Sequence, residues 1–293
     1  WESATLNMFG KRQGGGVVVR TLLVLGWALA SMISKAECLL EPTLQGRIDD
    51  MLSAASRVDY RGTLLVEYGK DREFIAVNSR QSEGEGGISR LNRQTGSALQ
   101  TVHLQPLVPA TACALTRFYA FSVENTEVVA GREALRVTVR PRDTLRLGYV
   151  MDVDKDTSLP LRVVTVTPEG QVLERFEFAQ FELLGMATEE PQVPVDSDDP
   201  RFSFASLPPG FSLIGHGVSP VEHRVVSDGL ASVSVFIEPQ PRALAAGEGV
   251  VLRGSTLAYT RGTPDSQLIT VMGEIPISTA RLLADAVRIS TVN

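Results

Sequence analysis

Three histidines, a run of alternating aspartates, a glycine-rich turn and two cysteines are the residues of this chain that could support chemistry. His216 and His223 stand seven apart across Pro220, which is no recognised metal-ligand spacing, and His103 has no Cys or His cluster near it. Asp152, Asp154 and Asp156 alternate as in part of a calcium loop, but the following Gly and the distal bidentate Glu are missing. They read as a solvated strand end and turn. Gly247-Glu248-Gly249 followed by Gly254 has the glycines of a phosphate loop without its Lys-Ser/Thr pair, so a hairpin turn is expected. No Gly-x-Ser-x-Gly elbow accompanies the serines. Cys38 and Cys113 form no Cys-x-x-Cys unit. In an oxidising compartment they could pair and close a long loop, yet Cys38 lies near the expected mature terminus, where order is least expected. No catalytic residue, metal or cofactor is expected, and an enzyme has no positive support.

The elements around these residues are mostly strands. Apolar residues at Leu44, Ile48, Met51, Leu52, Ala55 and Val58 fall on one helical face, and Pro42 suits a helix start. Residues 63–68 and 73–77 alternate across Gly69-Lys70-Asp71 as a hairpin, and 134–140 alternates again. Gly148 to Phe178 reads as three antiparallel strands with short polar turns, an arrangement suited to binding rather than catalysis. Residues 81–97 read as an open loop, and 98–116 give no clear assignment because Pro106 and Pro109 interrupt any long element. Residues 186–200, with three prolines and five acidic side chains, form a linker. Short strands follow near 212–215, 222–226, 230–238, 250–259 and 267–272. Ser278 is then expected to cap a helix containing Ala280, Leu283, Ala286, Val287 and Ile289. The expected class is α+β, in two domains covering residues 37–185 and 201–293.

At the other end, Lys11, Arg12 and Arg20 precede an apolar run from Thr21 to Ile33 and the small residues Ser34 and Ala36. This is the order of a cleaved secretory signal, residues 1–36 being extension and signal, and the run is too short to span a bilayer. Cleavage removes four of 28 Lys and Arg and one of 34 Asp and Glu, leaving 24 against 33 and a net charge of −9. Such a surface argues against nucleic acid as a partner.

The residues Asp59-Tyr60-Arg61-Gly62-Thr63, Ala130-Gly131-Arg132, Tyr149, Asp154, Leu159-Pro160-Leu161-Arg162, Gly170 and Phe176-Glu177-Phe178 recur, in this order, in a known family. So do Leu207-Pro208-Pro209-Gly210-Phe211, Ser227-Asp228-Gly229-Leu230, Ser234-Val235-Phe236 and Val271-Met272-Gly273-Glu274-Ile275-Pro276. Taken together the chain resembles the RseB/MucB family, periplasmic negative regulators of the envelope-stress sigma factor. Its first domain alone is similar to the half-barrels of the LolA/LolB lipoprotein carriers. The resemblance implies an N-terminal antiparallel β half-barrel enclosing a helix, plus a smaller C-terminal α+β domain. It also implies binding to the periplasmic segment of a single-span anti-sigma factor, protecting it from proteolysis until a lipid or lipopolysaccharide releases it. Asp152 and Ser206 stand where the family tends to carry tryptophan.

A curved sheet over a helix can leave an acyl-chain cavity or close into a dry core. Leu64, Val66, Val137, Val139, Tyr149, Met151, Phe176 and Phe178 are the candidate lining, with a dry core the favoured reading for most of them. Arg224 and Arg253, with the exposed strands around them, are candidates for partner contact, and a homo-oligomer is compatible with the sequence. Lipid or lipoprotein carriage is the alternative function.

Overall fold

The computed structural model describes residues 38, 40–79, 88–90, 110–126, 128–187, 202–217, 223–240 and 247–289. The signal segment, His103 and nearly all of the expected linker lie outside them. Helix α1 (Pro42–Arg57) begins on Glu41, whose carboxylate accepts hydrogen bonds from the Thr43 and Leu44 amides at 3.1 Å each. That supplies partners for amides the first helical turn leaves free. The chain then forms β1 (Val58–Tyr68), β2 (Asp71–Asn78), β3 (Ile88–Arg90), the one-turn helix α2 (Ala112–Leu115), β4 (Tyr119–Asn125), β5 (Ala134–Pro141), β6 (Gly148–Asp154), β7 (Pro160–Val166) and β8 (Val172–Met186). These eight strands make one open antiparallel sheet in the order β3-β2-β1-β8-β7-β6-β5-β4.

One face of this first sheet is apolar and carries α1. Ile48, Met51 and Leu52 of the helix pack on Val137, Val139, Tyr149, Val153 and Val163. Tyr60, Leu64, Val66, Ile75 and Phe178 continue the same core toward β2. Gly62 is needed at this point: a Cβ there would lie 2.2 Å from the Gln180 carbonyl, so only a bare α-carbon lets β1 meet β8 beside the bulge at Thr63 and Leu64.

The opposite face carries a ladder of unlike charges. Register sets Arg136 against Asp152, Asp152 against Arg162, and Arg162 against Glu177. Both guanidinium groups lie 2.8 Å from Asp152, and Arg162 also lies 2.8 Å from Glu177. The Arg162 and Arg175 hydrogen bonds hold the Glu177 carboxyl below its usual range. Asp154 is clamped by Arg132 at 2.7 and 3.0 Å and by the Thr157 hydroxyl and amide. Asp152 and Asp154 are 1% and 2% exposed, so the expectation of a solvated strand end fails for both. Their neighbours supply enough positive charge and hydrogen bonds to replace water. Asp152 also lies on the face away from Tyr149 and Met151, so an Asp in place of an aromatic there does not alter the apolar interior.

The second part contains β9 (Phe202–Phe204), β10 (Ser212–Gly217), β11 (His223–Ser227), β12 (Ser232–Pro239), β13 (Glu248–Arg253), β14 (Thr256–Gly262), β15 (Gln267–Gly273), α3 (Ile277–Ala286) and β16 (Val287–Ile289). Six strands form an antiparallel sheet in the order β10-β11-β12-β15-β14-β13, while β9 pairs with β16. Leu283, Ala280 and Ala284 of α3 pack on Val233, Val235, Tyr259 and Val271. Three sequence expectations change here. Residues 250–259 are a hairpin folded at Gly254 and Ser255 rather than one strand. No side chain caps α3, which starts from Pro276. Val287 and Ile289 leave the helix for β16, because pairing with β9 satisfies their backbone. Residues 98–116, where no element was assigned, contain α2, and β4 follows directly.

Candidate functional site

The two sheets belong to one compact unit, Cys38–Asn293, and among the described residues they meet at three polar contacts. The central one is built on Arg146, in the loop between β5 and β6. Its side chain is 0% exposed. Nε lies 2.9 Å from Asp228 Oδ2 as an ion pair without hydrogen-bond alignment. One terminal nitrogen donates to Asp143 and the other to the Pro209 carbonyl. The guanidinium stacks on Phe118 at 4.3 Å and on Phe211 at 5.1 Å. Asp228 opens the β11–β12 turn, where its other oxygen accepts the Leu230 and Ala231 amides at 3.0 and 2.9 Å. The Tyr119 hydroxyl donates to it at 2.6 Å. Burial first, and then the Asp228 charge, push the Tyr119 phenol well above its ordinary pKa, so it stays a donor.

Gly210 makes this packing possible. Its φ of +86° suits glycine, and a Cβ there would meet Phe118 and the Arg146 guanidinium at 2.5 Å. The second contact is the β13–β14 turn. Arg253 donates to Tyr68 Oη at 3.1 Å and to Glu73 at 2.7 Å, while the Ser255 amide and hydroxyl donate to Glu174 at 2.9 and 2.5 Å. The third is the start of α3, where Thr279 Oγ1 donates to the Leu145 carbonyl at 2.7 Å and Ser278 Oγ to Thr144 at 3.3 Å.

Glu274 stands beside the second contact. Burial, and then the charge of Glu174, raise its carboxyl to about 7, against the opposing hydrogen bond of Ser255. Its surroundings also include Tyr149, whose buried hydroxyl has no hydrogen-bond partner among the described residues. A carboxyl whose folded pKa exceeds its unfolded value favours the fold when protonated. That contribution is complete below about pH 4.5 and is lost as pH rises through about 7. Glu274→Gln is therefore expected to flatten the pH dependence of stability across this window. The gain should be on the order of 1 kcal/mol at about pH 8 and near zero at about pH 4, read as denaturant midpoints at each pH.

Some residues of the sequence resemblance lie at this junction: Pro209-Gly210-Phe211, Asp228 and Glu274. Comparison with known proteins agrees. Residues 100–197 match the MucB/RseB N-terminal domain and residues 196–288 the MucB/RseB C-terminal domain. The chain is 32% identical over 251 residues to the sigma factor AlgU regulatory protein MucB of Pseudomonas aeruginosa, covering 78% of this chain and 77% of that protein. It belongs to the MucB/RseB family.

Within that family, the sigma-E factor regulatory protein RseB of Escherichia coli K12 is 29% identical over 257 residues, covering 80% of this chain and 79% of its own. A solved complex of Pseudomonas aeruginosa MucA and MucB superposes with a TM-score of 0.63 at 26% identity, covering 85% of this chain and all of that one.

For this MucB/RseB chain, the eight candidate lining residues all sit in the first sheet's apolar interior. Leu64, Val66, Val137, Val139, Tyr149 and Phe178 are buried, and Met151 and Phe176 are partly buried against the same clusters. They face α1 and one another. A groove of about 400 Å³ lies elsewhere, lined by Arg61, Thr63, Ala76, Asn78, Phe181 and Glu182 among others, and includes none of the eight.

Neither arginine proposed for partner contact is a free surface cation. Arg224 is 8% exposed and lies 5.6 Å from the Phe202 ring, and Arg253 is held by Tyr68 and Glu73. His216 and His223 are strand residues, paired respectively with Arg224 and Gly217, and His223 lies on the Phe236 ring at 5.0 Å. No group of three or more His, Cys, Asp or Glu could hold a metal among the described residues. Sequence reading missed Arg146, Tyr119 and Phe118. The signal available was an arginine inside the short strand connection Asp143-Thr144-Leu145-Arg146-Leu147 next to an aspartate.

Proposed function

We propose that this protein binds the periplasmic segment of a single-span anti-sigma factor, shields it from regulated proteolysis and so represses an envelope-stress response. The observation that carries the reading is the match to both family domains in order along the chain. The solved complex of a relative, MucB with MucA, supports the choice of partner. The periplasm, reached by a cleaved signal peptide at residues 1–36, is the compartment this role requires. It also suits the Cys38–Cys113 disulfide.

In this reading residues 37–185 act as a half-barrel around α1, residues 201–293 as the partner-binding domain, and 186–200 as the linker. A lipid or lipopolysaccharide binding the first domain would release the partner by favouring a different placement of the two domains. It can do so only by binding the released state more tightly, and the contacts of Arg146, Arg253 and Ser255 are those the change must break. The match of residues 196–288 to the MucB/RseB C-terminal domain supports regulation over lipid or lipoprotein carriage, for which the first domain would be the working part.

A protease-protection assay tests the proposal. Incubated with the periplasmic segment of a MucA-type anti-sigma factor and its site-specific protease, the protein is expected to slow cleavage at least tenfold. Lipopolysaccharide should restore the rate. Cleavage at the unprotected rate under saturating protein would refute the role.

A further inference from the structure

Helix α2 is a single turn that touches both halves of the molecule. Four residues cannot hold a helix by backbone bonds alone, so its place must come from its contacts. On one side the Ala112 amide donates to Asp49 of α1 at 2.7 Å, and Cys113 is bonded to Cys38, which precedes α1. On the other side α2 carries the β11–β12 turn of the second sheet. A Cβ at Gly229 would lie 3.0 Å from both the Ala110 Cβ and the Leu115 side chain, so a bare α-carbon lets the turn settle there. Leu230 packs on the same cluster, which includes Ala110, Leu115 and Phe118. Tyr119, at the start of β4, then donates to Asp228 in that turn.

The two cysteines differ from the core beside them. Ala112 and Leu115 are buried, whereas Cys38 and Cys113 are each only half-buried. A thiol in solution can therefore approach the bond, which a disulfide enclosed in the core would not allow.

We infer that the Cys38–Cys113 bond is a redox-sensitive latch on the junction between the sheets. A dithiol reductant opens the bond, α2 loosens on α1, and the β11–β12 turn loses its seat. The step is thiol–disulfide exchange. One reductant thiolate attacks a sulfur of the bond, and the other cysteine leaves as a thiolate and takes up a proton. The second reductant thiol then resolves the mixed disulfide. Two electrons and two protons pass to the protein, and the reductant leaves as its own disulfide. While oxidised, the bond excludes states in which α2 has moved away from the chain preceding α1. Once it is reduced, those states are populated by local opening while the six-stranded sheet stays folded. The latch acts on the placement of the turn and does not depend on the proposed anti-sigma role.

Amide hydrogen exchange of the secreted chain, followed residue by residue by NMR, tests it. The Leu230 and Ala231 amides, which donate to Asp228, report the turn, and Tyr259 and Val271 report the centre of the second sheet. With dithiothreitol as the reductant, Leu230 and Ala231 are expected to exchange at least about tenfold faster, to outpace Tyr259 and Val271, and to recover on reoxidation. Ile75→Ala truncates a buried side chain of β2, six strands away from β4, and lowers stability with the bond intact. It should leave exchange at the turn unchanged. Linkage gives a second measurement on the oxidised fold. Gly229→Ala lifts the turn off α2, so half-reduction should need at least about threefold less dithiothreitol. Unchanged exchange at the turn after reduction overturns the inference, and so does equal acceleration in Ile75→Ala. Exchange that rises to one common rate at all four amides means that the chain unfolds as a whole, and likewise overturns it. So does a Gly229→Ala midpoint equal to that of wild type.

Discussion

Replacing Arg146 with Ala is expected to destabilise the protein by about 3–5 kcal/mol, the range for removing one member of a buried ion pair. The reason is what remains behind. Asp228 is fully enclosed and keeps the Tyr119 hydroxyl and two backbone amides, but loses the only guanidinium near its charge among the described residues. The Pro209 carbonyl loses its donor, and Phe118 and Phe211 lose the flat group between them. Arg146→Lys keeps a charge but offers neither the planar stack nor a fork of donors, so it should recover only part of the loss. Tyr119→Phe removes one hydrogen bond to the same carboxylate and should cost about 1–3 kcal/mol. Chemical denaturation of the two single variants and the double variant measures their coupling. Strict additivity would mean that Arg146 and Tyr119 do not act through Asp228, and would remove the node from the account of how the two sheets are joined.

That node shows where sequence reading works and where it stops. Strand alternation at Leu64 and Val66, and at Val137 and Val139, gave the elements and their buried face because period two maps directly onto an amphipathic sheet. Helix α1 was legible for the same reason, at period 3.6. The pairing of Arg136 with Asp152 and of Arg162 with Glu177 was not, because it depends on register across four strands, which spacing along the chain does not encode. Arg224 and Arg253 were read as exposed because isolated arginines on strands usually are. One is covered by Phe202 and the other reaches across to Tyr68, and both facts belong to tertiary structure. The resemblance motifs fared better. Pro209-Gly210-Phe211 and Ser227-Asp228-Gly229 were visible as words long before their meaning was. Folded, they are the turn that admits Phe118 and the turn that presents Asp228.

The second large expectation concerns Cys38 and Cys113, which the structure joins by a disulfide with the Cα atoms 5.1 Å apart. Sequence alone left this open because Cys38 lies near an expected terminus. What makes the bond possible is α2: Cys113 sits within it, Ala112 and Leu115 are buried, and the Ala112 amide donates to Asp49 of α1 at 2.7 Å. A rigid anchor therefore faces the incoming chain. The bond closes a sequence separation of 75 residues, which in the chain-entropy model restricts the unfolded state by about 4 kcal/mol. Cys38→Ser, Cys113→Ser and the double variant should all lose this amount and no more, since either change opens the same loop. The thermal midpoint should fall by roughly 8–16 °C for a chain of this size. Wild type unfolded in the presence of a thiol reductant should match the variants. A double variant markedly less stable than either single one would show that the cysteines also contribute through packing in the folded state, and the loss could then not be ascribed to chain entropy.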